Sequence, residues 1–407
     1  MGRVLEHHAK ALIGRAGIGV PRGEAAETPT EARQIAARLG GPVVVKALVL
    51  AGKRGKAGAI RNAATPEDAF QAASALLGSE VGGYHVSQVL VEERVAIRRE
   101  LYLSFTIDRE EACTRLLASS VGGIEIEAIV RDNPSGLHSL AIQPLEGLPE
   151  FSARQLWREA GISGRLLPRI GALTSRLYQV FCACDAYLLE INPLAETESG
   201  ELVALGAVLA VDDAALFRHP ELSGQVQVAS EKVWRPLTAR EEQVNAINAA
   251  EPYRGSARYL ELDGGDIGFL CGGGGASLVL FDSLVRAGGQ PANYAEFGGN
   301  PTENKVVGLA RVVLEKPGVR GLFVAHNITN NTQVDVVARG VVQALKALGI
   351  SASDFPVVAR EIGLHDAEGR AIFEAAGIRY FGAESTLSDA ARGMVAAMRA
   401  RYEGTAS

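Results

Sequence analysis

The sequence predicts an α/β protein in two parts, and three observations carry that prediction. Apolar runs of strand length alternate with segments of helical period along almost the whole chain. From Ile267 onward the alternation becomes a regular strand–helix repeat, the pattern of a parallel sheet with helices on both faces. The chain has 407 residues, 47% of them hydrophobic, enough for two or three domains with real cores.

Composition removes several function classes. Lys and Arg number 41 against 47 Asp and Glu, a net charge of −6, and the basic residues are scattered, which disfavours a nucleic-acid surface. Cys113, Cys182, Cys184 and Cys271 are too few for a disulfide scaffold, and the Cys182–Cys184 pair has no second ligand pair to make a zinc site. No apolar run reaches membrane-spanning length and the N-terminus lacks a signal-peptide core, so a soluble cytoplasmic protein is expected.

The N-terminal part opens with a helix over Leu5 to Ala16. A second helix runs to Leu39 behind Thr28-Pro29-Thr30-Glu31, where a threonine caps, a proline fills the first turn and an acid follows three on. Val43 to Lys46 is a β-branched strand ending in a cation that needs an anionic partner or an exit to solvent. The loop from Leu50 to Gly58 holds three glycines and the cations Lys53, Arg54 and Lys56. It lacks the serine or threonine of a GxxxxGK[ST] phosphate loop, and reads either as a glycine-rich lid over phosphates or as a solvated basic hairpin. Thr65-Pro66-Glu67-Asp68 starts a third helix to Leu77. Val89 to Arg94 and the alternating Glu100 to Asp108 are strands, which puts Glu92 and Glu100 at the end of one and the start of the next. Either glutamate suits an adenine amine or a ribose hydroxyl, or simply a surface position.

Tyr187 to Leu194 reads YLLEINPL. Glu190 and Asn192 alternate with Leu189 and Ile191, so both polar side chains face one way on an otherwise apolar strand. Such a pair is costly unless it serves a metal, a ligand or a hydrogen-bond network. Thr238 to Leu262 is polar, loses its apolar pattern towards the end, and is expected to connect the two parts.

In the C-terminal part, strands are expected at Ile267 to Cys271, Ala292 to Glu296, Leu322 to Ala325, Pro356 to Arg360 and Arg379 to Phe381. Helices are expected over Ala276 to Ala287, Glu303 to Leu314, Thr332 to Leu348, Ala367 to Ala376 and Ser388 to Met398. Ligands of such sheets bind beyond the carboxyl ends of the strands. Three features lie there. Cys271-Gly-Gly-Gly-Gly-Ala-Ser277 is either an oxyanion cradle, with Gly273 and Gly274 at its centre, or a tight turn. The stretch LFVAHNITNNTQVDVVARG, Leu322 to Gly340, places Asn327, Thr329, Asn330, Asn331 and Thr332 at a helix mouth, where unpaired N–H groups and the helix dipole favour a carboxylate or phosphate; the plainer reading is a cap. Arg360 ends the next strand, either to fork onto a carboxylate or as an ordinary surface arginine.

Six motifs, in order and at similar spacing, resemble the β-subunit of succinyl-CoA synthetase. They are VVVKALVLAGKRGKAGAI (Val43 to Ile60), LVEE with Glu100 eight residues after Glu92, VGGIEIE (Val121 to Glu127), LLEINPLAE, ALFRHPEL (Ala215 to Leu222) and GGQPANYAEFGGNPTENKV (Gly288 to Val306). The resemblance implies an ATP-grasp nucleotide-binding half over residues 1–238, a connection over 239–262 and a flavodoxin-like CoA-ligase domain over 263–407. It also implies a partner α-subunit with a CoA-binding Rossmann domain and a phosphorylated histidine. ATP would be held by Lys46, Arg54, Gly55, Glu92 and Glu100, magnesium by Asn192, and the partner's phosphohistidine would be faced by Glu190.

The chain departs from that family at two places in the first half. Lys53 stands where the motif has glycine, and Leu205-Gly206-Ala207 stands where a magnesium-binding aspartate is expected. In the second half the loops are closer to ATP-citrate lyase and citryl-CoA synthetase, with an asparagine and a threonine at the positions of Asn330 and Thr332 after a comparable triple-glycine loop. Extra donors are costly, about 1 to 3 kcal/mol each when left unpaired, unless the acid carries a hydroxyl or a further carboxylate to meet them. The expected protein is therefore the β-subunit of an ADP-forming carboxylate–CoA ligase. Gly273, Gly274, Asn330, Asn331, Thr332 and Arg360 would hold a di- or tricarboxylate such as citrate or malate. The alternative is a carboxylate-sensing or regulatory subunit with a degraded nucleotide half. A single-chain peptide-forming ligase leaves the flavodoxin-like half without a use.

Overall fold

The computed structural model describes residues 2–52, 54–123, 136–222, 224–228 and 236–402. The chain divides into two compact units, Met1–Pro236 and Leu237–Ser407.

The first unit holds two principal sheets. In the larger, described strands run in the order His138–Ile142, Cys113–Ser119, Ile97–Asp108, Ala186–Thr197, Ala207–Val211, Gly2–Val4 and Val226–Val228, antiparallel at each pairing, with Leu202–Ala204 added beside Ala186–Thr197. Helices Glu150–Glu159 and Leu166–Ala183 cover one face, burying Trp157, Phe105, Tyr178 and Phe181; the Trp157 indole N–H donates to Thr174 Oγ1 at 2.8 Å. The smaller sheet runs Gly23–Ala26, Val89–Glu93, Val43–Ala47, Ile60–Ala63. It carries helices Pro29–Leu39 and Pro66–Leu76, capped by Thr28 and Thr65 as their sequences predict, and packed through Ala32, Ala36, Ala69, Ala72 and Ala73.

The ALFRHPEL motif has a structural use. Asp185 takes a left-handed backbone at φ 47° to turn the chain from helix Leu166–Ala183 into strand Ala186–Thr197. Arg218 grips its carboxylate with two bonds of 2.7 Å, and His219 Nε2 lies 2.5 Å from it. Those bonds hold Asp185 down at about 2 and raise His219 above its ordinary value.

In the second unit the sheet order is Ser256–Glu261, Asn293–Gly298, Ile267–Gly272, Gly321–His326, Val357–Arg360, Arg379–Phe381; the first strand is antiparallel and the others parallel. Successive residues feed opposite cores. Leu270, Leu322 and Val324 pack on one face with helices Ala239–Ala250, Glu303–Leu314, Val334–Ala347 and Asp366–Ala375. Phe269, Cys271, Phe323 and Ala325 pack on the other with Gly275–Arg286 and Leu387–Tyr402.

Two expectations need correction. The stretch 239–262 is no connection: it forms helix Ala239–Ala250 and edge strand Ser256–Glu261, integral to the second unit. Its helix buries only Glu241 and Val244, so the sequence shows little apolar period; a capping box between Thr238 and Glu241 starts it. The helix expected from Thr332 begins at Val334, because Thr329–Gln333 instead pairs as a short strand with Gly363–Leu364. No helix among the described residues is long and apolar enough to cross a membrane.

Candidate functional site

In the second unit a cavity of about 490 Å³ opens at the carboxyl ends of the parallel strands, where open α/β sheets bind ligands. One wall is the loop holding Thr329, Asn330, Asn331 and Thr332, all four named by the sequence reading, together with Gly273 and Gly274. The two glycines adopt φ 111° and 59°, conformations that a side chain would strain, and Gly274 caps helix Gly275–Arg286. Asn330 and Asn331 are exposed, while Thr332 is buried at the loop's base. Thr329 Oγ1 donates to the carbonyls of Thr332 (3.0 Å) and Ile362 (3.1 Å) and so fixes the loop's shape.

The opposite wall was not foreseen. Ser256 and Arg258 of the edge strand and Glu296 and Phe297 of its neighbour also line the cavity. Gly274 N–H donates to Glu296 Oε1 at 3.0 Å and Tyr294 O–H to Oε2 at 3.2 Å. The sequence signal for Ser256 and Arg258 lay in a stretch read as a connection.

Arg360, expected to hold the carboxylate, is not among the residues that line the cavity. It is buried, and its Nη1 donates to the carbonyls of His326 (2.6 Å) and Asn327 (2.8 Å), bracing the start of the loop. Beneath it lies a second unforeseen device. His326 Nδ1 is 2.7 Å from Glu361 Oε1, both fully buried, with the imidazole stacked on Phe297. The ring fills the space beside Gly272 that any side chain there would need.

In the first unit the structure brings Lys46, Arg54 and Glu92 together and adds Glu6 and Lys10. Lys46 Nζ pairs with Glu92 Oε1, lies 3.1 Å from Glu6 Oε1 and donates to Leu205 O at 2.6 Å. Lys10 bridges Glu92 (2.6 Å) and Glu6 (2.8 Å), and Arg54 pairs with Glu6 Oε2. Burial pushes Glu6 up, but Arg54, Lys10 and Lys46 together overcome it and hold the carboxyl well below its usual range. For Lys46, burial works downward, and Glu6 and Glu92 more than reverse it. Three cations against two carboxylates leave one unit of positive charge. Glu6 and Lys10 were readable in principle, since they share a helix face with Ala9 and Ile13.

The remaining sequence candidates are placed as follows. Gly55 lies in the turn after Arg54, where its carbonyl accepts from Gly58 N–H at 3.2 Å. Glu100 stands apart from the Lys46 cluster, beside Gly122 and Gly123. Glu190 is half-buried and accepts from Tyr102 O–H at 3.4 Å. Asn192 Oδ1 accepts from Gly123 N–H at 2.7 Å. Lys53 and the VGGIEIE motif beyond Gly123 lie outside the described residues. A separate cavity of about 970 Å³, lined among others by Arg94, Arg169, Arg176, Glu93, Glu198 and Glu201, shares no residue with the Lys46 cluster.

Comparison with known proteins agrees with this division. Residues 3–196 match the ATP-grasp domain model, and residues 235–388 match the ATP citrate lyase citrate-binding model. The chain is 38% identical to the succinate–CoA ligase [ADP-forming] subunit beta of Rubrobacter xylanophilus over 388 residues, 95% of this chain and 96% of that one. The chain belongs to the succinate–CoA ligase β-subunit family. That is a family of acid–thiol ligases. Another member, the [GDP-forming] subunit beta of Thermus thermophilus, is 37% identical over 370 residues, covering 91% of this chain and 92% of that one. The fold is that of ATP citrate lyase from Methanothrix soehngenii, solved with citrate and coenzyme A, at a TM-score of 0.73 and 21% identity, covering 98% of this chain and 100% of that one.

Magnesium, which the family resemblance implies, does not fit the residues described at Asn192. Its side-chain oxygen is engaged by Gly123, Gly206 supplies no carboxylate, and a Cβ at Gly206 would overlap the Asn192 carbonyl oxygen. The one cluster of three His, Cys, Asp or Glu ligands among the described residues, Asp108, Glu111 and Cys113, lies elsewhere.

Proposed function

We propose that the chain is the β-subunit of an ADP-forming carboxylate–CoA ligase whose acid is a hydroxylated di- or tricarboxylate, of the citrate or malate kind, rather than succinate. The observation that carries this reading is the cavity at Asn330, Asn331 and Thr332, whose side-chain donors call for a ligand richer in acceptors than succinate. The match of residues 235–388 to a citrate-binding model supports it.

In this reading the γ-phosphoryl group of ATP passes to a histidine of a partner α-subunit and ADP leaves. The phosphoryl group then moves to the bound carboxylate, and the CoA thiol displaces it, giving acyl-CoA and phosphate. CoA is held mainly by the partner, in a Rossmann domain. The residual positive charge of Lys46, Arg54 and Lys10 over Glu6 and Glu92 draws the phosphates, with Gly55 allowing close approach and Glu100 receiving the nucleoside. Glu190 faces the imidazolium and stabilises it. No step is assigned to magnesium at Asn192. The protein works in the cytoplasm.

One observation favours a second reading, an acid-sensing subunit: Gly206 lacks the expected carboxylate and the Asn192 backbone occupies its place. Calorimetry on the full chain separates the two. Binding of both ATP and citrate or malate supports the ligase; acid binding with no nucleotide binding supports the sensor; a preference for succinate over the hydroxy acids overturns the assignment of the acid.

A further inference from the structure

We propose that Arg258 is the guanidinium that receives a second carboxylate of the acid and thereby sets the site's preference for polycarboxylates; this rests on the acid-binding reading above. The edge strand Ser256–Glu261 runs antiparallel to Asn293–Gly298, with Arg258 directly opposite Glu296 and Ser256 opposite Gly298. Both pairs line the cavity, on the side away from the Asn330–Thr332 loop. Among the residues lining it, Arg258 is the one cation.

No described residue forms an ion pair with Arg258. Its cross-strand neighbour Glu296 has one oxygen bonded by Gly274 N–H and the other by Tyr294 O–H, and Arg258 takes no ion pair or side-chain hydrogen bond from the described residues. Arg360, the other arginine near the loop, is buried against backbone carbonyls. A cavity meant for an anion with more than one carboxylate needs a counter-charge, because amide and hydroxyl donors alone leave a second carboxylate only partly compensated.

The two walls then divide the ligand. One carboxylate lies against Asn330, Asn331 and Thr332; a second is forked by Arg258 with Ser256 beside it; a hydroxyl between them donates to Glu296, which has acceptor capacity beyond its two existing bonds. Succinate offers nothing to Glu296, and a monocarboxylate offers nothing to Arg258. Because Arg258 is exposed, water screens the pair, and the expected effect is about tenfold in affinity rather than a thousandfold.

The test is titration calorimetry on the full chain with citrate, tricarballylate (citrate without its hydroxyl) and 2-hydroxybutyrate, comparing wild type with Arg258→Gln and Arg258→Lys. The expected result is about a tenfold weaker citrate Kd in R258Q, a smaller loss in R258K, a flatter salt dependence in R258Q, and no change for 2-hydroxybutyrate. Wild type binding citrate with R258Q binding it equally well overturns the role of Arg258 and leaves the acid site standing. Wild type binding none of the acids overturns the acid-binding reading itself, and this inference with it.

Discussion

Glu6 sits at the centre of the buried charge cluster in the first unit. Buried, with Lys46 at 3.1 Å, Lys10 at 2.8 Å and Arg54 also paired to it, it is one of two carboxylates that hold three cations in the interior. Removing one charge from such a group leaves the others uncompensated, at a cost of about 3 to 5 kcal/mol. Glu6→Gln should therefore lower the melting temperature by about 10 °C, read by differential scanning fluorimetry. The pH dependence has a definite sign. The folded-state pKa of Glu6 lies below its ordinary 4.5, so its contribution is full above that value and disappears as pH falls through the depressed one. The gap in melting temperature between wild type and E6Q should be constant from pH 8 to pH 6 and close in strong acid. A gap that widens on acidification contradicts the assignment.

Elements with a strong local signal were legible in the sequence, and those set by partners were not. Thr28 and Thr65 announce their helices because a capping hydroxyl, a proline and an acid act within four residues. Glu303–Leu314 appears with its expected ends, and the parallel strands Gly321–His326 and Val357–Arg360 show as apolar runs because both faces are covered. Ser256–Glu261 was missed because an edge strand buries less and alternates weakly. Arg258 went unseen with it. Arg360 was legible as a charge at a strand end, but its hydrogen bonds to His326 and Asn327 depend on the fold of a loop 33 residues away in sequence. Thr332 and Gln333 were taken into the following helix because the pairing of Thr329–Gln333 with Gly363–Leu364 is non-local. That pairing shapes the Asn330–Thr332 loop. Gly363 has φ 152°, and a Cβ there would overlap the side chain and carbonyl of Thr329. Gly363→Ala should therefore displace the loop and weaken citrate binding at least fivefold in calorimetry, with the melting temperature of the first unit unchanged; unaltered binding removes the short pairing from the site's support.

The molecule as a whole consists of two units with separate cores, and the two ligand classes are assigned to different ones. A ligand stabilises the unit that binds it by mass action, about 2.7 kcal/mol at a hundred times its Kd. Saturating citrate should slow amide hydrogen exchange in strands Ile267–Gly272 and Gly321–His326 and leave strands Val43–Ala47 and Val89–Glu93 unaffected, as read by mass spectrometry. Equal protection of both sets would place the acid elsewhere.

The strands under the proposed acid site send neighbouring residues to two separate cores: Phe323 and Ala325 to one, Leu322 and Val324 to the other. Deleting or inserting one residue within Gly321–His326 would exchange side chains between the two compartments. Strand length in this unit is thus constrained, while the exposed residues beyond the strand tips, Asn330 and Asn331, stay free to vary. New acids can be accommodated by rewriting those tips alone, with the framework beneath them left as it is.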